Sequence, residues 1–168
     1  PGGRFLIHYT RSGHNAVPAA DADTSGVPDF VEQVGSIYDE VFDEYQNTLG
    51  FRPPVSDANI ADNGGDGRFD AYLVDFAGEG DGNFQVDACD AQKPAICAGY
   101  MLEENDFAGY GYPSTTVANR ILASHEFFHA VQAAYDAQQG PCFAEGSAVW
   151  ATETFDPTLS DFESFLPG

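Results

Sequence analysis

The spacing of apolar and polar residues changes several times along the chain, and each change marks a predicted element. The alternating, β-branched and aromatic stretch at 4–10 (RFLIHYT) predicts a strand. From Pro28, apolar residues recur at steps of three and four, which predicts a helix over 28–49 that ends near Gly50. The apolar face of this helix comprises Phe30, Val31, Val34, Ile37, Tyr38, Val41, Phe42 and Tyr45.

The middle of the chain predicts more strands, and its last third predicts two helices. RFDAYLVDF (68–76) and AGYMLEE (98–104) have the composition of strands, and we expect the second to be the edge strand that lines a substrate. A strongly amphipathic helix is expected from Ser114 to about Gly140, and a last helix over 141–154 has proline in its first turn. The apolar stripe of the first of these helices should contain Val117, Ile121, Phe128, Val131 and Tyr135.

The charge of the chain excludes some classes of function. The 168 residues include 27 acidic and 6 basic side chains, for a net charge of -21. Nucleic acid is not expected as a partner, because phosphates are bound through Lys and Arg. No apolar run approaches the ~20 residues of a membrane span, and the N-terminal residues lack the layout of a signal peptide, so we expect any targeting peptide to lie outside this sequence. The many acidic side chains repel one another, and either high salt or bound cations would reduce this repulsion. The acids are unevenly distributed along the chain, which favours bound cations.

The chain has three cysteines, and a disulfide between two of them would imply an oxidising compartment. Seven residues separate Cys89 from Cys97 in a loop-like segment, which favours a local disulfide over two free thiols. Cys142 is left over, either as a free buried thiol or as the partner of a segment outside this chain.

The stretch ASHEFFHAVQ, residues 123–132, is the strongest candidate for chemistry. His125 and His129 are four residues apart, so on a helix both imidazoles lie on one face and can reach one metal ion. In the spacing H-E-x-x-H, the histidines bind zinc and the glutamate, here Glu126, acts as general base. The alternative is a helix with two ordinary histidines, although two of only four histidines in the chain fall here.

A catalytic zinc ion needs a third protein ligand, and Glu145 is the first candidate. It follows His129 by sixteen residues, after a Gly-Pro break that can reverse the chain direction. The alternative for Glu145 is an acid that simply favours a helix N-terminus. Weaker candidates for the third ligand are Glu153, Asp136, His8 and His14.

HEFFH and the later AEGSAVWATE together resemble the zincin metallopeptidases, and among them the gluzincins, whose third ligand is a glutamate on a separate helix. More closely, the chain is similar to a group of secreted bacterial proteins classed as metalloproteases. The similarity covers most of the chain. The runs of sequence that carry it are HYT, GVPDFVE, DAYLVDF, TVANRILASHEFFHAVQ and EGSAVW. It implies that His125, His129 and Glu145 bind zinc and that Glu126 is the general base.

The resemblance also implies an α+β, zincin-like fold. This fold has a small mixed twisted sheet, a backing helix and an active-site helix, followed by a glutamate helix in a minimal lower lobe. We expect residues 1–168 to form a single catalytic domain, with an upper lobe at 1–140 and a minimal or truncated lower lobe at 141–168. Gluzincins usually continue well beyond the glutamate helix, so the alternative is a fragment whose partners include further domains of a longer precursor. Oxyanion donors could come from Tyr100, Tyr110, Tyr112 or Tyr135.

Two acidic loops are candidates for calcium. DADTSGVPDFVE (21–32) has the ligand spacing of a twelve-residue EF-hand loop, with the alternative of a solvated acidic turn. Its ligands would be Asp21, Asp23, Ser25, the carbonyl of Val27, Asp29 and a bidentate Glu32. A weaker match at 62–70 offers Asp62, Asp66 and Asp70.

The sequence therefore predicts a secreted, extracellular zinc metalloendopeptidase with a protein or peptide substrate. Zinc would polarise the peptide carbonyl and hold the attacking water, whose proton Glu126 takes and passes to the leaving amine. Calcium is expected as a second cofactor. The alternative is an extracellular binding module stabilised by calcium and zinc, in which the zincin site is vestigial, or latent because Cys142 or an outside segment fills the fourth zinc position.

Overall fold

Four strands form one mixed sheet in the computed structural model, which describes residues 3–159. The strands are β1 (Phe5–His8), β2 (Phe69–Val74), β3 (Gly82–Cys89) and β4 (Cys97–Glu104), in the order β1-β2-β4-β3. β1, β2 and β4 run parallel, and β3 pairs antiparallel with β4. β3 is therefore one edge of the sheet, and β4 lies inside it.

Within the described residues, three α-helices accompany the sheet. α1 spans Asp29–Phe42 and continues as a π-helical segment at Asp43–Thr48. α2 spans Thr115–Asp136 and begins at an N-cap serine, and α3 spans Pro141–Phe155. α1 and α2 pack against the sheet, and α3 packs against α2.

The two faces of the sheet differ because successive strand residues point to opposite sides. Phe5, Ala71 and Met101 belong to the buried core that the sheet shares with α1 and α2. The ring of Phe5 lies 5.3 Å from that of Phe127 on α2. The alternate residues, among them Tyr72, lie on the face away from the helices.

Most predicted elements are present, with boundaries shifted by a few residues, and the mixed architecture is compatible with an α+β fold. Two expectations were wrong. AGYMLEE is the inner strand β4. The edge strand is Gly82–Cys89, which was not predicted because the glycine-rich sequence at its start suggests a turn. α2 is not strongly amphipathic, because it is buried on most of its sides between the sheet, α1 and α3. Residues 160–168 of the expected lower lobe lie outside the described residues.

A disulfide joins Cys89 at the end of β3 to Cys97 at the start of β4, which confirms the predicted pairing. Cys142 on α3 is a free thiol and is exposed, whereas a buried thiol was one expectation. Among residues 3–159, no helix is long and apolar enough to cross a membrane.

Candidate metal centre

One face of α2 brings the residues of the H-E-x-x-H motif together. Ligand atoms of His125, Glu126 and His129 all lie within 4.8 Å of one another. The two imidazole rings are 5.1 Å apart, as expected for helical residues one turn apart. All three side chains are half-buried, and Glu126 and His129 line a cleft.

Glu145 joins this group from the neighbouring helix α3. Its Oε2 lies 3.1 Å from Nε2 of His125, and its Oε1 lies 3.7 Å from Nε2 of His129. α3 is fixed against α2 by buried Ala148 and Ala151 at their interface. The sequence-predicted ligands therefore meet across two helices, with the carboxylate between the two imidazoles.

Gln132 orients the second histidine. Its Nε2 donates to the carbonyl of Ala144 and to Oγ of Ser147, both at 2.8 Å, so its Oε1 is left as an acceptor. That Oε1 lies 2.9 Å from Nδ1 of His129, which therefore carries the proton and leaves Nε2 with a lone pair toward Glu145. Sequence reasoning missed Gln132, although its i+3 position relative to His129 was a usable signal.

Glu126 lies where the helix meets the edge strand. Its Oε2 accepts a hydrogen bond of 3.1 Å from the main-chain N–H of Phe84 on β3. Burial raises the pKa of Glu126 to about 7, and Glu145 and Asp81 add to the rise, while His129 and the Phe84 N–H oppose it. A cation beside the imidazoles would lower this pKa, which leaves the carboxylate in the proton-accepting form.

A cleft of about 480 Å³ opens in front of these groups. β3 forms one wall, with Asn83, Phe84 and Val86, and α2 and the start of α3 form the other. Asp136 also lines the cleft. It was a weak candidate ligand, because it lies seven residues beyond His129 on the same helix. An unpaired strand edge along a cleft can bind an extended peptide by main-chain hydrogen bonds.

The other candidate ligands lie elsewhere. His8 contacts Asp70 at 2.6 Å and His14 contacts Asp75 at 3.2 Å. Within the described part of the chain, Glu153 and Cys142 belong to no converging group of metal-binding side chains. The four tyrosines named as candidate oxyanion donors do not line this cleft; these are Tyr100, Tyr110, Tyr112 and Tyr135.

The acidic loop before α1 forms a second converging group. Carboxylate oxygens of Asp21, Asp23 and Asp29 lie within 4.8 Å of one another. The N–H of Ser25 donates to Asp21 at 3.0 Å and to Asp23 at 2.9 Å. The Ser25 hydroxyl donates to Glu32 at 2.7 Å and lies 3.2 Å from the carbonyl of Val27, but Glu32 is not part of the converging group among the described residues.

The weaker loop at 62–70 does not bring its three acids together. Asp66 makes a salt bridge of 2.8 Å with Arg68, and Asp70 is buried against His8. Within residues 3–159, Asp62, Asp66 and Asp70 form no converging group.

Comparisons with known proteins add nothing to these observations. No protein-family model matches the chain, and no curated protein or solved structure is significantly similar to it. The resemblance to zincins therefore stays a prediction that rests on the motifs.

Proposed function

We propose that this chain is a zinc-dependent metalloendopeptidase. The observation that carries the proposal is the position of the Glu145 carboxylate on α3, within 3.1 Å of His125 and 3.7 Å of His129 on α2. Two imidazoles and one carboxylate are a donor set that zinc accepts at catalytic sites.

The surroundings of these residues also fit zinc. Gln132 holds His129 in the tautomer whose Nε2 can bind a metal, which is the role of outer-shell partners in zinc sites. When bound, zinc would lower the pKa of a water molecule and polarise a carbonyl oxygen. His125, His129 and Glu145 would hold the ion and leave a position open toward the cleft.

Glu126 is the proposed catalytic base. Its carboxylate borders the cleft, where it would take a proton from the attacking water and deliver it to the leaving amine. The edge strand β3 would align an extended peptide beside it through main-chain hydrogen bonds. The Phe84 N–H, which already bonds to Glu126, would fix the distance between the peptide and its base.

The proposal extends to calcium and to an extracellular location. The oxygen-rich loop of Asp21, Asp23 and Asp29 would bind Ca²⁺ and hold the start of α1. The Cys89–Cys97 disulfide suits an oxidising compartment, which supports secretion.

The test is metal content together with peptidase activity. Wild type should retain zinc after extensive dialysis and cleave an unfolded protein substrate. Glu145→Gln should lose the zinc, while the matched control Glu153→Gln, on the same helix, should keep it. Glu126→Gln should keep the zinc and lose activity by about a hundredfold or more.

Two outcomes would count against this function. Full peptidase activity in Glu126→Gln would remove the proposed base. Zinc retention by every variant with no cleavage of any protein would favour the binding module instead.

A further inference from the structure

The cleft in front of the candidate metal centre continues along α2 to the end of that helix. Asp136 follows His129 by seven residues, which is almost two helical turns, so both lie on one face of α2 and about 10 Å apart along its axis. Ala133 lies between them on this face, and all three residues line the cleft. One end of the cleft therefore holds candidate metal ligands, and the other end holds an exposed carboxylate.

The edge strand β3 runs beside α2 over the same distance. Near the start of the strand the Phe84 N–H donates to Glu126, and farther along it the exposed side chain of Val86 lines the cleft together with Asp136. The loop after β3 reaches the end of α2, where the N–H of the residue after Asp136 donates to the carbonyl of Ala95 at 2.6 Å. A peptide extended along β3 from Glu126 would therefore pass Asp136 within about three residues, at about 3.3 Å per residue.

The charged side chains of this cleft, apart from imidazole, are all acidic. Glu126, Asp136 and Glu145 line it, and no Lys or Arg of the described residues does. Under the proposed function Glu145 binds zinc and Glu126 moves the proton, which leaves Asp136 as the acid that can contact a substrate side chain. Oδ1 of Asp136 accepts the N–H of Gln138 at 2.8 Å, and no ion pair within residues 3–159 involves Asp136.

The end of α2 favours a positive charge for a second reason. The last carbonyl groups of a helix carry partial negative charge, which a basic side chain in the last turn can offset. The last turn of α2 contains no basic residue. Lys93 lies on the loop between β3 and β4, which contacts this end of the helix, but it forms no ion pair there within the part of the chain that the structure describes.

Apolar side chains line the cleft together with Asp136, among them Val86, Ala133 and Ala137. Lys and Arg have aliphatic stems that pack on apolar surface while their charged ends reach polar groups. A purely apolar side chain would cover the same surface and leave Asp136 without a partner, and an acidic one would be repelled. The cleft therefore fits a long basic side chain best.

We propose that Asp136 makes this cleft select peptides with a Lys or Arg side chain on one side of the scissile bond, within about three residues of it. The inference rests on the proposed peptidase function for the scissile bond, whereas recognition of the basic side chain needs only the cleft. Its basis is one ion pair at a partly exposed position, reinforced by the helix end, so the expected preference is about fivefold and not absolute.

The experiment begins with the cleavage of a peptide library by the zinc-loaded wild type, in which Lys and Arg should be enriched at one position near the cut. Matched peptides then carry lysine, norleucine or glutamate at that position, and kcat/KM should be about fivefold higher for lysine than for norleucine. A further peptide carries its lysine at a distant terminus and should match the norleucine peptide. This comparison separates the contact with Asp136 from the general attraction of a chain with a net charge of -21.

Substitutions assign the preference to one carboxylate. Asp136→Asn should reduce the lysine-to-norleucine ratio to about one, Asp136→Glu should keep it, and Asp136→Lys should favour the glutamate peptide. Asp106→Asn is the matched control and should leave the ratio unchanged, because Asp106 also accepts an N–H two residues ahead, at 2.7 Å, but does not line the cleft. A ratio measured on one preparation does not depend on how much of the variant is folded.

The outcomes separate this inference from the function on which it rests. Equal cleavage of the lysine and norleucine peptides by wild type, or a preference that survives in Asp136→Asn, would overturn the inference and leave the peptidase function intact. If wild type cleaves no peptide, the peptidase function fails, and fluorescence anisotropy of the same labelled peptides decides on recognition. Wild type should then bind the lysine peptide about fivefold more tightly than the norleucine peptide, and Asp136→Asn should abolish the difference. Equal binding of the two peptides by wild type would overturn the inference as well.

Discussion

The main-chain N–H of Phe84 donates to Oε2 of Glu126 at 3.1 Å, and this bond joins the edge strand of the sheet to the motif helix. The position of β3 depends on its pairing with β4, where Gly99 lies opposite Val86. A Cβ atom on Gly99 would lie 2.1 Å from the carbonyl oxygen of Gln85 and 2.6 Å from the Phe84 ring. The geometry around Glu126 therefore depends on a glycine in a neighbouring strand.

We predict that Gly99→Ala destabilises the protein by about 2 kcal/mol or more, because the methyl group forces β3 away from β4. It should also reduce peptidase activity beyond the loss of folded protein. The measurement is urea unfolding together with activity per folded molecule. The control is Gly146→Ala in α3, where a Cβ meets nothing within 4 Å, and it should stabilise the protein by about 0.5–1 kcal/mol. Equal stability of the two variants would contradict this account of β3.

The hydrogen bond between Gln132 and His129 leads to a second prediction. Gln132→Ala should weaken zinc binding by about tenfold to a hundredfold, because Nδ1 of His129 loses the acceptor that fixes its tautomer. Competition with a zinc chelator measures the affinity. Gln138→Ala, on the exposed stretch after α2, is the matched control and should have no effect. Unchanged zinc affinity in Gln132→Ala would show that the tautomer is set by other contacts.

The buried carboxyl group of Glu103 leads to a prediction of how the stability of the fold depends on pH. It is fully buried in β4, it accepts a hydrogen bond of 2.8 Å from the Tyr38 hydroxyl, and burial raises its pKa to about 8. Between pH 5 and 8 the folded state holds a proton on Glu103 that the unfolded state has released, so stability falls as pH rises. The contribution is about 1.4 kcal/mol per pH unit.

Glu103→Gln should remove this contribution, because the amide keeps an acceptor for Tyr38 and does not titrate. Unfolding free energies of wild type and variant, measured across pH 5–8, should therefore diverge with rising pH. Glu79→Gln, at an exposed position, should follow wild type. Parallel curves for wild type and Glu103→Gln would mean that Glu103 is ionised in the folded protein.

The disulfide links the end of β3 to the start of β4. It closes a short hairpin whose loop also contacts the end of α2, where the N–H of Ala137 donates to the carbonyl of Ala95 at 2.6 Å. Replacing Cys89 and Cys97 together by alanine should cost about 2–3 kcal/mol, as expected for closure of a short loop. Cys142→Ala should change stability little, because that thiol is exposed and unbridged. Thermal unfolding with and without a reductant checks both variants.

Much of the candidate centre follows from local rules. Helical spacing alone predicts that His125 and His129 share a face, and Pro141 correctly marks the start of α3. The edge strand was missed because its glycines suggest turns, while its pairing with β4 is a long-range property. The contact between the carboxyl groups of Asp57 and Asp70 was equally hidden, since only the fold brings the loop before β2 back to that strand.

β3 borders two clefts, with Asn83, Phe84 and Val86 on the side of α2 and Asp87 on the opposite face of the sheet, beside Asp70 and Tyr72. A bulge between Val86 and Ala88 separates these two roles within one strand. Because this one strand forms part of both walls, a displacement of β3 changes the shape of both clefts.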